Sequence, residues 1–246
     1  MAAATRPGTA PSGAVLGLAL AGLALMAASF FAPMWWVSLT APNYPEHMYP
    51  HGVRIVMHWD HVANGCTAQQ REREEIEEDE VLDCVEEMNT INHYIGMFPI
   101  ERGAQLELKA APYLFVAFGV LAVVGLFYTG PFWWFLFVPA IALPVGFLVD
   151  FAGWLYWFGH NLHEWAAFTV KPFMPTVFGE GKVAQFSTYS FPDYGMGLSI
   201  AASVCLVLAV LQRRKGLHFR VDRDPDVTDL AFFPQGFEHG HDFFLP

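Results

Sequence analysis

MGLSIAASVCLVLAVLQRRK, residues 196–215, decides how this chain is read. An uncharged apolar run ends directly in Arg213, Arg214 and Lys215, with Arg220 and Arg223 a few residues on. About 20 apolar residues are enough to cross a bilayer as a helix, and clustered basic residues mark the cytoplasmic flank of such a span. The run is therefore read as a transmembrane helix over 195–212, followed by a cytoplasmic tail over 213–246.

Three further apolar stretches precede it, over 13–39, 112–128 and 132–158. Composition agrees with a membrane protein: 54% of the residues are hydrophobic and the mean hydropathy is +0.32. Only 15% are charged, against about 25% in soluble domains. With four spans, residues 1–12 lie in the cytoplasm like the tail, and 40–111 and 159–194 both lie on the outer face. The expected fold is an α-helical membrane protein. It has four transmembrane helices and a small periplasmic α+β cap formed by the two outer loops. The net charge of −11 argues against nucleic acid, which requires a basic face. The first stretch has two readings. LMAASFFA, residues 25–32, resembles a signal-peptide cleavage site, but the run continues into Trp35 and Trp36, which reads as an interfacial belt on an uncleaved anchor. Pro139 and Pro144 remove backbone donors and predict a kink in the third span.

Within the outer loops, APNYPEHMYPHG (41–52) is punctuated by proline and should be irregular. GVRIVMHWDHV (52–62) has the β-branched alternation of a strand, and Asn64-Gly65 reads as a turn. REREEIEEDEVLDCVEEM (71–88) reads as a solvated helix face or a mobile acidic insertion. KPFMPTVFGEGKVAQFSTYSFP (171–192) lacks a helical period and should be extended over the cap. Cys66 and Cys84 bracket the acidic stretch. They either form a disulfide, which an outer-face location permits, or contribute two thiols to a metal site. Cys205 lies in an apolar run and reads as a packed small hydrophobe.

The chemistry concentrates in CVEEMNTINHYIGMFPIE, residues 84–101, which carries Met88, His93 and Met97. A helix through 89–97 would place His93 and Met97 at i and i+4 on one face. His160, His163 and Glu164 share the same kind of spacing. Seven of the ten histidines fall in the outer loops: His47, His51, His58, His61, His93, His160 and His163. Met48, Met57, Met88 and Met97 join them. Thioether with imidazole suits copper. The tight Cys/His spacings of zinc and the oxygen-rich loops of calcium do not occur. The candidate copper ligands are His93, Met97, Met88, His58, Met57, His160 and His163. The competing reading is that these are packed histidines and gap-filling methionines. Haem is not expected: there is no CxxCH, and the four spans hold no histidine. No nucleotide-binding or nucleophile motif occurs, so no catalytic residues are assigned and an enzyme is not indicated. Asp150, the one acid inside an apolar segment, is a functional candidate or an interfacial residue capped by Trp154 or Tyr156.

APMWWVSLTAPNYPEHMYPHGVRI (32–55), MNTINHYIGM (88–97) and the stretch 171–192 resemble a family of uncharacterised bacterial membrane proteins met near nitrous oxide reductase accessory genes. The acidic insertion between Cys66 and Cys84 departs from that pattern. The resemblance implies a role in respiratory copper-enzyme maturation and carries no catalytic residues with it. Three functions are open to test. The first is copper binding and delivery at the periplasmic face. The second is a non-catalytic subunit or assembly scaffold of a respiratory complex, with a membrane or periplasmic protein partner. The third is a proton-handling transporter or enzyme using Asp150.

Overall fold

The computed structural model describes residues 11–47, 49–66, 83–164, 166–167, 170–183 and 185–221. The acidic insertion before Asp83, Met48, and the tail with His239 and His241 lie outside them. Among the described residues, three helices are long and apolar enough to cross a membrane: α1 (Gly13–Phe31), α3 (Gln105–Phe127) and α6 (Tyr194–Val221), the last over Tyr194–Gly216. A bent pair of helices passes the same test when its two halves are taken together, as a broken span or a re-entrant loop. A 3-10 turn at Trp133–Phe137 and the short α4 (Val138–Ile141) meet α5 (Leu143–His160) at 46°. The bend sits where proline predicts it: Pro139 and Pro144 each open one of the two helices, where a missing N–H costs nothing.

The end of α1, the start of α3, the end of α5 and the start of α6 all meet one cap. Its sheet contains β1 (Trp35–Thr40), β2 (Val53–Met57), β3 (Val62–Asn64), β4 (Gly179–Val183) and β5 (Phe186–Pro192). The order is β3-β2-β1-β5-β4, with antiparallel pairing throughout. The helix α2 (Cys84–Ile95) packs against β2 and β3.

Three sequence expectations are corrected here. Residues 35–40 are not the end of the first span. Pro33 breaks the helix, and Trp35–Thr40 becomes the central strand, with Trp35 buried and its indole N–H donating to Ser190 Oγ at 2.8 Å. A short, largely apolar strand that follows a span directly cannot be told from its continuation by composition. The second span begins at Gln105 rather than 112, with Pro112 inside the helix. The hairpin turn lies at His58–His61, where His58 N–H donates to His61 O, and not at Asn64-Gly65, which ends β3.

The bundle holds together through small residues. Ala19 and Gly22 of α1 meet Ala202 and Leu206 of α6, and a Cβ added at Gly22 would sit 2.9 Å from Leu206 Cγ. Such close helix packing is the usual means of association in lipid, where burial of apolar surface gives no driving force. Across the far end, Arg213 donates to the carbonyls of Gly125 and Tyr128 and lies 4.2 Å over the Trp133 ring.

Cys66 and Cys84 form a disulfide, with their Cα atoms 5.9 Å apart and a sequence separation of 18. It joins the end of the β2–β3 hairpin to the first residue of α2. By loop-closure entropy such a link contributes about 3 kcal/mol. The Cys66→Ser/Cys84→Ser double variant should lose about that much in denaturant unfolding of the detergent-solubilised protein, with α2 and its side of the cap exchanging amide hydrogens first.

Candidate functional site

The sheet has two unlike faces because side chains alternate along each strand. Val37 and Leu39 of β1, Ile55 and Met57 of β2, and Phe186 of β5 point inward, toward α2 and α5. Between these three elements lies an apolar cavity of about 200 Å³. Trp36, Ser38, Arg54 and Tyr189 point to the opposite, polar face. There Arg54 stacks 4.3 Å over Trp36 and lies 3.8 Å from Asp193, clasping the sheet to the start of α6.

The stretch 84–101 builds one wall of the cavity, and its own residues dictate how. Asp83 caps α2 by accepting from Val85 N–H at 2.9 Å. Met88, Ile91, Asn92 and Ile95 then recur at the 3–4-residue period that gives one buried face. Gly96 stops the helix in the left-handed conformation, φ +82°, and Met97 N–H turns back to Asn92 O at 2.8 Å. Asn89 then anchors residues 100 and 101. Its Oδ1 accepts from Ile100 N–H and its Nδ2 donates to Glu101 Oε1, each at 2.9 Å. The segment after the helix is thereby folded back, and Met97 enters the same cavity as Met88.

The second loop is laid across this turn. His163 N–H donates to Gly96 O at 2.8 Å, and Ala167 N–H to Tyr94 O at 3.1 Å. A Cβ at Gly96 would stand 2.8 Å from Ala166 Cβ and 2.9 Å from His163 O, so the position demands glycine on both conformational and steric grounds.

Four of the seven residues singled out from sequence therefore line one cavity: Met57, His58, Met88 and Met97. Asp150 lines it too, from α5, within hydrogen-bonding reach of the Trp154 indole. Met88 and Met97 are buried, while Met57 and His58 are half-buried. The other three are elsewhere. His93 is exposed, off the buried face that Met88, Ile91, Asn92 and Ile95 form, and α2 ends before Met97, so the two do not share a face. His160 is exposed, stacks on Tyr156 and hydrogen-bonds the Tyr156 carbonyl through Nδ1 at 2.9 Å. His163 packs its ring on Phe98, with centroids 4.1 Å apart. Among the described residues, no group of three or more His, Cys, Asp or Glu converges on a metal-sized site. Sequence reasoning gave no reason to put Asp150 with the methionines, nor to count Asn92, which is buried in the cavity wall. The helical spacing of Asn92 from Met88 was the available signal.

Burial and the stacked His61 ring, 4.4 Å away, hold the His58 imidazole below its ordinary pKa of 6.5. At neutral pH it is uncharged and keeps a lone pair for donation. On the other side of the cap, burial and the neighbouring Glu87 carboxylate push the Tyr44 phenol well above its ordinary value. Tyr44 OH donates to Glu87 Oε2 at 3.1 Å, fastening the irregular loop 41–52 to α2.

Neither a protein-family model, nor a curated protein, nor a solved structure matches this chain.

Two outcomes are expected. Gly96→Ala should lower cap stability by about 1–3 kcal/mol, seen as a lower unfolding midpoint. Because the folded state binds the His58 proton more weakly than the unfolded chain does, stability should fall as pH drops below 6.5. The midpoint lost between about pH 7.5 and about pH 5 should be smaller in His58→Gln.

Proposed function

We propose that this is a multi-pass protein of the bacterial inner membrane that binds copper in the cavity between cap and bundle and delivers it to a periplasmic respiratory enzyme. The observation that carries this reading is the convergence of Met57, Met88 and Met97, with His58, on one cavity. These residues come from a strand end, a turn, a helix and the segment after the helix. Three thioethers with a neutral imidazole form a soft, uncharged ligand set, which favours Cu(I).

Topology supports the same reading. Arg213, Arg214 and Lys215 at the far end of α6 favour the cytoplasm for that end under the positive-inside rule. With the bent pair read as one span, both termini share that side and the cap faces the periplasm, a compartment that suits its disulfide. The sequence resemblance to proteins met near nitrous oxide reductase accessory genes points to that enzyme's maturation. Delivery also requires a receiving protein. Met174 and Phe178, exposed beside the edge strand β4, offer an apolar contact for one.

The test is replacement of Met57, Met88 and Met97 together by leucine, a substitution that keeps volume and apolarity and so preserves the core. Elemental analysis of protein purified after Cu(I) loading should give near-stoichiometric copper for the wild type. The triple variant should hold little, at an unchanged unfolding midpoint. Equal copper in both proteins would remove this site, whereas His93→Ala should leave loading unaltered.

A further inference from the structure

We infer that the cavity between the sheet, α2 and α5 binds a small neutral aromatic molecule, whose hydroxyl or carbonyl oxygen hydrogen-bonds the Asn92 carboxamide. The inference stands on Asn92 and on the ring-lined wall, and it does not rest on the copper reading. Asn92 is 8% exposed and lies on the apolar face of α2 with Met88, Ile91 and Ile95. Asparagine is seldom buried unless its amide is paired. Among the described residues, none hydrogen-bonds this carboxamide. Asn92 gives the turn only its backbone carbonyl, which accepts from the N–H groups of Gly96 and Met97, a task any residue performs. Asn89 shows the contrast, because both ends of its amide are used to hold residues 100 and 101. The side chain at 92 therefore brings two donors and an acceptor to the cavity wall with no structural task for them.

The rest of the wall sets the class of guest. Phe147, Phe151, Trp154 and Phe158 of α5, with Phe173 and Phe186 of the second loop and β5, bring six rings to the lining. Ring faces and edges favour a flat aromatic partner. Volume sets its size. An apolar cavity of about 150 Å³ takes up benzene, and this one measures about 200 Å³, enough for one ring with a small polar substituent. A metal ion needs about the space of one water, about 30 Å³, so an ion on the methionines would leave most of the cavity to such a guest. The other polar side chains in the lining are His58 and Thr188, both half-buried, and Asp150, which is exposed. Asn92 is thus the polar side chain most withdrawn from solvent, where a hydrogen bond to a guest counts most. The ordinary alternative, an amide served by a trapped water, gives the cavity no preference for a ring that bears oxygen.

The experiment is fluorine NMR of the full-length protein in detergent, with 4-fluorophenol and its oxygen-free near-isostere 4-fluorotoluene as probes. Protein-free micelles give the partition of each probe into detergent. Wild type and Asn92→Leu are compared, and an unfolding midpoint is taken for each. The expected result is saturable, protein-dependent binding of 4-fluorophenol to the wild type. After correction for partition it should bind about 2–10-fold more tightly than 4-fluorotoluene, the range of one net hydrogen bond. Asn92→Leu should bind both probes equally and unfold no earlier than the wild type, because it removes an unpaired amide from an apolar face. No saturable binding to the wild type overturns the inference, and so does equal affinity for the two probes; neither result depends on a variant. A preference for 4-fluorophenol that persists in folded Asn92→Leu protein also overturns it. None of these outcomes touches the copper reading, which metal loading tests by itself.

Discussion

The pairing of β1 with β5 is the constraint on which the cap depends. Six residue pairs, from Trp35↔Pro192 to Thr40↔Ser187, join segments about 150 residues apart in the chain. The two strands continue directly from α1 and into α6, and those two helices share the most extensive packing in the bundle. Helix pair and strand pair thus form one continuous unit running from bundle to cap. The buried Trp35–Ser190 hydrogen bond fixes the register at the junction, and Ser190 Oγ in turn donates to Val177 O at 2.8 Å. A slip of one residue would turn Val37 and Leu39 out of the cavity and put Trp36 and Ser38 in.

The other elements complete the enclosure. The helix α2 is held from three directions: by the disulfide at its first residue, by Asn89 folding back residues 100 and 101, and by the second loop lying across Gly96. Each restraint acts on the backbone, so Met88 and Met97 are positioned without any bond to their sulfur atoms. Their thioethers stay chemically free while remaining geometrically fixed.

The long apolar helices were legible in the sequence because span length and hydropathy are local properties. The bend at the third span was legible from Pro139 and Pro144 for the same reason. The strand Trp35–Thr40 was not, since a short apolar strand running on from a span shares its composition. The pairing of Cys66 with Cys84 stayed open at that stage, because Cys spacing alone does not separate a bridge from a metal site; the 5.9 Å Cα separation decides it. Of the methionine and histidine candidates, Met88 and Met97 were seen as a group because they lie nearby in sequence. The predicted His93–Met97 pair failed on Gly96, whose left-handed backbone ends the helix between them. That Met57, His58 and Asp150 share their cavity is a product of sheet and bundle packing, and no short-range pattern encodes it.

The long reach of the β1–β5 pairing also sets an order of assembly. As the chain is made, α1, β1, the β2–β3 hairpin and α2 all appear early, and the Cys66–Cys84 link can close over this half alone. The sheet at that point ends at β1, with a full row of unpaired backbone groups facing where β5 will be. Only when the last helix is nearly ready to enter does β5 emerge. Pairings this distant are slow to form, because a large loop must close before any contact repays it. The cavity therefore comes into existence as a late event, and a chain stopped short of β5 would carry all three methionines without the wall that encloses them.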